Sequence, residues 1–172
     1  MSELHLIIGC MFSGKTSKLL NIAKTLHESG TKVMLINYFE DTRYSMADTT
    51  THDGVSINLK THMLQNLNSV VYADYSVICV NEAQFFPNLL NFCKQALQDN
   101  KILYINGLDA DFRQQKFGEI IDLIPMSDSV TKLHAKCKTC NNKAYFTKRL
   151  TNSQEQKVIG SDSYVPVCRD HI

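Results

Sequence analysis

The apolar residues of this chain fall into short runs, with segments of helical spacing between them. Leu4 to Ile8, Lys32 to Tyr38, Ser76 to Val80 and Lys101 to Asn106 read as strands, and such runs suit strands covered on both faces. Between the first two, Leu19, Leu20, Ile22, Ala23 and Leu26 recur at helical spacing, and Gly30 stops the helix. After the third, Pro87 is expected at the first position of a helix that buries Leu89, Leu90, Phe92, Cys93 and Leu97. Strand, helix, strand is the βαβ unit with a right-handed crossover, so the expected class is α/β with a central, mostly parallel sheet. Residues 39–56 are polar and poorly periodic, a loop long enough to be functional.

Composition narrows this picture. The 172 residues suffice for one domain with a small appendage, divided here as residues 1–134 and 135–172. A net charge of +1 argues against a nucleic-acid or membrane surface, and basic stretches such as Lys143 to Arg149 are short and interleaved with apolar residues. The acidic start MSELHLIIGC is not a secretory leader, and no run approaches the roughly 18 apolar residues of a membrane span. A cytoplasmic protein is therefore expected. Its six cysteines then read as metal ligands and buried thiols rather than disulfides, with Cys79 and Cys93 as core thiols.

The candidate chemistry begins at Gly9-Cys10-Met11-Phe12-Ser13-Gly14-Lys15-Thr16, which fits G-x-x-x-x-G-K-[ST] between a strand and an amphipathic helix. Glycines there let backbone N–H groups converge on phosphate oxygens; Lys15 would reach the β/γ-phosphates and Thr16 would meet Mg²⁺. The third strand ends in Asn81-Glu82-Ala83-Gln84-Phe85-Phe86, where an acidic side chain can face Mg²⁺ and the nucleophile. The fourth ends in Gly107-Leu108-Asp109-Ala110-Asp111-Phe112-Arg113, on the same rim, since ligands gather at the carboxyl ends of parallel strands. Phe112 and Phe117 are candidates for stacking on a planar substrate, although filling a core is the ordinary use of phenylalanine.

The last forty or so residues change character. Cys137-x-x-Cys140 and Cys168-x-x-His171 are two knuckles that together complete a tetrahedral, structural Zn²⁺ site. The metal would clamp the base of an excursion containing a strand-like Ala144 to Lys148 and then Val158 to Pro166. Metal removal is therefore expected to disorder residues 150–167 while the phosphate loop survives.

Taken in order, these features resemble the type II thymidine kinases, over roughly Leu6 to His171. The resemblance includes D-T-R-Y at 41–44, T-H-D at 51–53, the L-D-x-x-F loop and A-Y-F-T-K-R at 144–149. It implies a RecA-like domain and a small zinc domain whose lasso loop covers thymidine, in a homotetramer inhibited by dTTP. It implies Glu82 as the general base for the 5′-hydroxyl. The implied ATP and Mg²⁺ contacts are Gly9, Cys10, Met11, Phe12, Ser13, Gly14, Lys15 and Thr16, with Asp41, Arg43, Asn81 and Gln84. On the thymidine side it implies Met11, Phe85, Leu108, Phe112 (stacked on the base), Phe117 and Thr147. It also implies Gln156, Lys157 and Ile159 on that side, Val158 and Gly160 as the lasso backbone that hydrogen-bonds the pyrimidine edge, and Tyr164 as the deoxyribose contact.

Three positions depart from the family pattern: Asn81 stands for an aspartate, Cys10 for a proline, and the lasso is one residue shorter. A GTPase would need an N-K-x-D motif, and Asn142-Lys143-Ala144-Tyr145 lacks the aspartate. The remaining alternatives are a kinase for another deoxynucleoside or a nucleoside monophosphate, and a RecA-like DNA-dependent ATPase with a zinc ribbon.

Overall fold

The four apolar runs lie side by side at the centre of one sheet. The computed structural model describes residues 1–40, 49–50, 56–57, 59–157 and 161–172. In chain order the main elements are β1 (Glu3–Gly9), α1 (Lys15–Glu28), β2 (Val33–Tyr38), the short β3 (Thr49–Thr50) and β4 (Ser56–Ile57), and β5 (Thr61–Leu64). They continue with β6 (Val77–Val80), α2 (Leu89–Gln98), β7 (Ile102–Gly107) and β8 (Ser129–Leu133). The six-stranded sheet has the order β5-β2-β6-β7-β1-β8, and every neighbouring pair is parallel. The α/β class and parallel sheet agree with the sequence reading.

Both faces of the central strands are covered, which explains their lack of alternation. Ile7, Val33, Leu35, Val77 and Cys79 pack with Leu19, Leu20 and Ala23 of α1. On the other face Leu6, Ile36, Ile78, Leu103 and Ile105 pack with Leu89, Phe92, Cys93 and Ala96 of α2. Burying one leucine such as Leu103 fully contributes about 1.5–3 kcal/mol. Burial also pushes the thiols of Cys79 and Cys93 up to about 12, as core thiols should be.

The structure differs from the sequence reading on three points. Pro87 lies ahead of α2 in a turn, because Asn88 takes a left-handed conformation (φ 61°) as the N-cap and the helix begins at Leu89. The sheet edges β5 and β8 have no apolar run; half-exposed edges do not need one. The strand expected over Ala144 to Lys148 is broken at Tyr145 into β10 (Lys143–Ala144) and β11 (Phe146–Arg149). β10 pairs with β9 (Ala135–Lys136), and β11 with β12 (Tyr164–Val167), both antiparallel.

Candidate active site and metal centre

The phosphate-loop sequence turns between β1 and α1. Gly9, Phe12 and Gly14 all have positive φ (147°, 63° and 80°), and Gly14 is the N-cap of α1. Among the described residues no side chain caps that helix, and its positive end faces the loop. Lys15 is buried; its Nζ donates to the Cys10 carbonyl at 2.7 Å and lies 3.5 Å from Ser13 Oγ. Ser13 Oγ also donates to the Cys10 carbonyl, at 2.8 Å, which closes the loop on itself. Phe12 is half exposed at its crest.

Beneath the loop, three buried asparagines form a row across β2, β6 and β7: Asn37, Asn81 and Asn106. Strand alternation puts them on the α1 face, one step beyond the registered pairs Ile36–Val80 and Val80–Ile105. The Thr16 hydroxyl donates to Asn81 Oδ1 at 3.2 Å, and Asn81 Nδ2 donates to Asn37 Oδ1 at 2.7 Å. Asn106 Oδ1 accepts the backbone N–H of Glu82 at 3.1 Å, while its buried Nδ2 has no partner among the described residues.

Glu82 itself sits at φ 53°, a conformation uncommon for a residue with a side chain. Its Oε2 accepts from Gln84 Nε2 at 2.7 Å, and Gln84 Oε1 accepts the Leu108 N–H at 3.0 Å. Gln84 fits only because two glycines flank it. A Cβ at Gly107 would lie 2.3 Å from Gln84 Oε1, and one at Gly118 would lie 2.2 Å from the Gln84 carbonyl oxygen. Glu82 is thus held by its backbone N–H on Asn106 and by its carboxylate, through Gln84, on the 107–118 loop.

That loop is built on Asp111, whose side chain is almost fully buried. Its Oδ1 accepts the backbone N–H groups of Arg113 and Gln115, and its Oδ2 accepts from Arg113 at 3.3 Å and Gln156 Nε2 at 2.9 Å. Burial alone would raise the Asp111 pKa, but these donors together hold it below its ordinary value. Phe117 is buried edge-on against Phe85, ring centroids 5.3 Å apart, and Phe85 lies 5.0 Å from Tyr38. Lys157 rests over the Tyr38 and Phe85 rings and pairs with Glu40. Desolvation opposes its charge, yet its contacts with Glu40 and Tyr38 raise its pKa overall. Phe112 is half-buried, with the Arg149 guanidinium 3.8 Å from its ring centroid.

Cys137, Cys140, Cys168 and His171 converge, their ligand atoms all within 4.8 Å of one another. Cys140 and Cys168 sulfurs are 3.6 Å apart, and His171 Nδ1 is 3.1 Å from the Cys168 sulfur. A tetrahedron of ~2.3 Å Zn–S bonds has edges of about 3.8 Å, so this donor set fits zinc with no vacant position. Burial pushes the Cys137 thiol up, but the backbone amides of Cys168, Cys140 and Thr139 outweigh it and bring it down to about 6. The thiolate is the ligating form. The three cysteine ligands share a small apolar cluster with Cys10, Ala135, Ala144 and Val167, so the metal cluster abuts the phosphate loop. Cys10 Sγ donates to the Ala144 carbonyl at 3.3 Å, and the Met11 N–H donates to Thr147 Oγ1 at 3.0 Å.

Of the residues singled out from sequence, Thr16 of the phosphate loop is hydrogen-bonded to Asn81, and Glu82, the next residue in the chain, is hydrogen-bonded to Gln84. Leu108 is joined to Gln84 through its N–H, and Thr147 to the phosphate loop through the Met11 N–H. Phe85 and Phe117 are neighbours, whereas Phe112 packs with Arg149 and Arg113. Asp41, Arg43, Val158, Ile159 and Gly160 lie outside the described residues. Sequence reasoning missed Asn37, Asn106, Glu40 and Arg149. The two asparagines did leave a signal: each interrupts an apolar run at its carboxyl end.

A wholly parallel α/β sheet with a phosphate-loop sequence, a strand-end glutamate and a zinc-type Cys₃His cluster on one side is the architecture of a phosphate-loop α/β protein with a small metal-binding appendage. The sequence pattern of the family described as thymidine kinase matches residues 2–172, and the chain belongs to that family. It is 41% identical to a thymidine kinase of Oryza sativa subsp. japonica, an alignment covering 98% of this chain and 65% of the relative. It is 39% identical to the thymidine kinase of Myxoma virus (strain Uriarra), covering 97% of this chain and 94% of the viral one. With the cytosolic thymidine kinase of Gallus gallus it shares 34% identity, over 97% and 75% of the two chains. Among the described residues, no helix is long and apolar enough to cross a membrane.

Proposed function

We propose that this protein transfers the γ-phosphoryl group of ATP to the 5′-hydroxyl of thymidine, giving dTMP and ADP. The observation that carries the reading is the position of Glu82. Its backbone is tied to Asn106 under the phosphate loop, and its carboxylate to Gln84, the partner of the Leu108 N–H. A nucleoside bound over the 107–118 loop would then bring its hydroxyl between the carboxylate and the phosphate loop. Glu82 would accept the hydroxyl proton, held in position by Gln84. Phosphoryl transfer through a loose transition state needs mainly positioning and charge neutralisation. Lys15 would leave the Cys10 carbonyl for the phosphates, with Arg43 beside them. Thr16, Asn81 and Asp41 would hold Mg²⁺, which would supply further charge neutralisation there.

In the same reading Met11, Phe85, Leu108, Phe112, Phe117 and Thr147 form the base pocket. Gln156 to Gly160 cover it, and Tyr164 meets the sugar. Structural zinc on Cys137, Cys140, Cys168 and His171 holds residues 135–172 as a unit beside the ATP-binding residues 1–134. A homotetramer inhibited by dTTP and serving deoxynucleoside salvage in the cytoplasm completes the proposal; the cytosolic description of the chicken relative supports the location. The test is ATP-dependent phosphorylation across a panel of nucleosides and nucleoside monophosphates, with and without single-stranded DNA. Thymidine should be the preferred acceptor. Preference for another acceptor, or ATP hydrolysis stimulated by DNA, would replace the proposal.

A further inference from the structure

Arg149 is the last residue of β11, opposite Tyr164 in the antiparallel pair with β12, and it is buried. Its guanidinium faces three backbone carbonyls of the segment that follows it. One terminal nitrogen donates to the carbonyls of Ser153 (2.8 Å) and Glu155. The other donates to the Gln156 carbonyl at 3.2 Å and to the Tyr164 hydroxyl at 2.5 Å. The same group lies over the ring of Phe112, 3.8 Å from its centroid, and 5.0 Å from that of Tyr164. Among the described residues it is paired with no carboxylate.

The segment it holds, Thr151-Asn152-Ser153-Gln154-Glu155-Gln156, has no apolar side chain and so no core of its own. Hydrogen bonds from a charged donor are about twice as strong as neutral ones, and a planar fork can serve several carbonyls at once. A second tie runs from Gln156 Nε2 to Asp111 and to the Lys116 carbonyl. The 151–156 arm is thereby fastened to the 107–118 loop and to Phe112 by one buried cation and one amide.

We propose that Arg149 is a positioning residue for the nucleoside side of the site. By binding the arm, Tyr164 and Phe112 together, it sets the geometry of the base and sugar contacts before the nucleoside arrives. The proposal rests on the assignment of thymidine to the Phe112 side. Lysine would keep the charge but offers neither the fork nor the flat face, so Arg149→Lys separates this role from simple charge.

The experiment uses the full-length zinc-loaded protein and two readouts. The first is cleavage at Glu155 by a glutamate-specific protease without nucleoside. The second is steady-state kinetics with thymidine and ATP varied separately. Wild type should resist cleavage at Glu155, and Arg149→Lys should be cut about tenfold faster, the size of one lost charged hydrogen bond. The thymidine KM should rise by about tenfold or more, with kcat and the ATP KM within about threefold of wild type.

Any of three results would overturn the proposal. One is rapid cleavage at Glu155 in wild type, which decides the matter even if the variant fails to fold. Another is an unchanged thymidine KM in a folded variant. The third is a parallel rise in both KM values, which marks a general structural defect. If wild type does not phosphorylate thymidine, the functional reading fails by itself, and the protease comparison still decides whether Arg149 holds the arm.

Discussion

The backbone N–H of Met11, in the phosphate loop, donates to the hydroxyl of Thr147 on β11 at 3.0 Å. With the Cys10 thiol on the Ala144 carbonyl, this joins the loop to the small strands beside the Cys₃His cluster. The sequence alone predicts that metal loss stays confined to residues 150–167; these contacts predict otherwise.

Removing zinc by chelation, or by Cys140→Ser, should therefore weaken binding at both ends of the site. ATP-analogue affinity should fall about three- to tenfold, the size of one or two lost hydrogen bonds, along with thymidine protection against proteolysis. Titration of a non-hydrolysable ATP analogue before and after chelation checks this. Unchanged affinity would mean that the loop holds its shape unaided.

Glu82→Gln should nearly abolish phosphoryl transfer while ATP-analogue binding survives. Glutamine can still meet Gln84 Nε2 through its carbonyl oxygen, so the shape persists, but it cannot take the proton. General-base catalysis is typically worth about 10²–10⁴-fold in rate. A kcat within a factor of a few of wild type would remove Glu82 from that role.

Asn81→Asp tests the neutral row under the loop. Asn81 now uses its Nδ2 on Asn37 and its Oδ1 on Thr16, so a carboxylate there would require the Asn37 amide to turn and donate. The added charge should lower the Mg²⁺ concentration for half-maximal rate, because Mg²⁺ is usually held by one or two carboxylates plus phosphates. The acidic limb of the pH–rate profile should move to higher pH, since neighbouring carboxylates resist ionising together. Identical Mg²⁺ titrations and acidic limbs for the two proteins would mark the substitution as neutral.

Asp111 should contribute stability that depends on acid pH. Its folded pKa lies below the ordinary 3.8, so the contribution is present above that value and is lost as pH falls through the folded pKa. Asp111→Asn should therefore be less stable than wild type at pH 7, and the gap should begin to narrow as pH falls to about 3.8 and below. Denaturant unfolding of both proteins from pH 7 down to pH 3 measures the gap. A constant difference across that range would show that the charge of Asp111 is not what holds the loop.

Much of this protein is determined by local sequence. Apolar runs such as Ser76 to Val80 specify buried strands because both faces must be covered, and Leu19, Leu20 and Ala23 specify the helix that covers one of them. The phosphate-loop glycines and the two metal knuckles are legible because each needs particular residues at fixed short spacing. Tertiary structure decided what depends on distance along the chain. Asn37, Asn81 and Asn106 become one row only when β2, β6 and β7 lie in adjacent parallel register. Arg149 becomes a clamp only because β11 pairs with β12 and carries it beneath Phe112. A hydrogen bond acts across about 3 Å, so no pattern of neighbours in sequence can announce a partner that only folding brings within that reach.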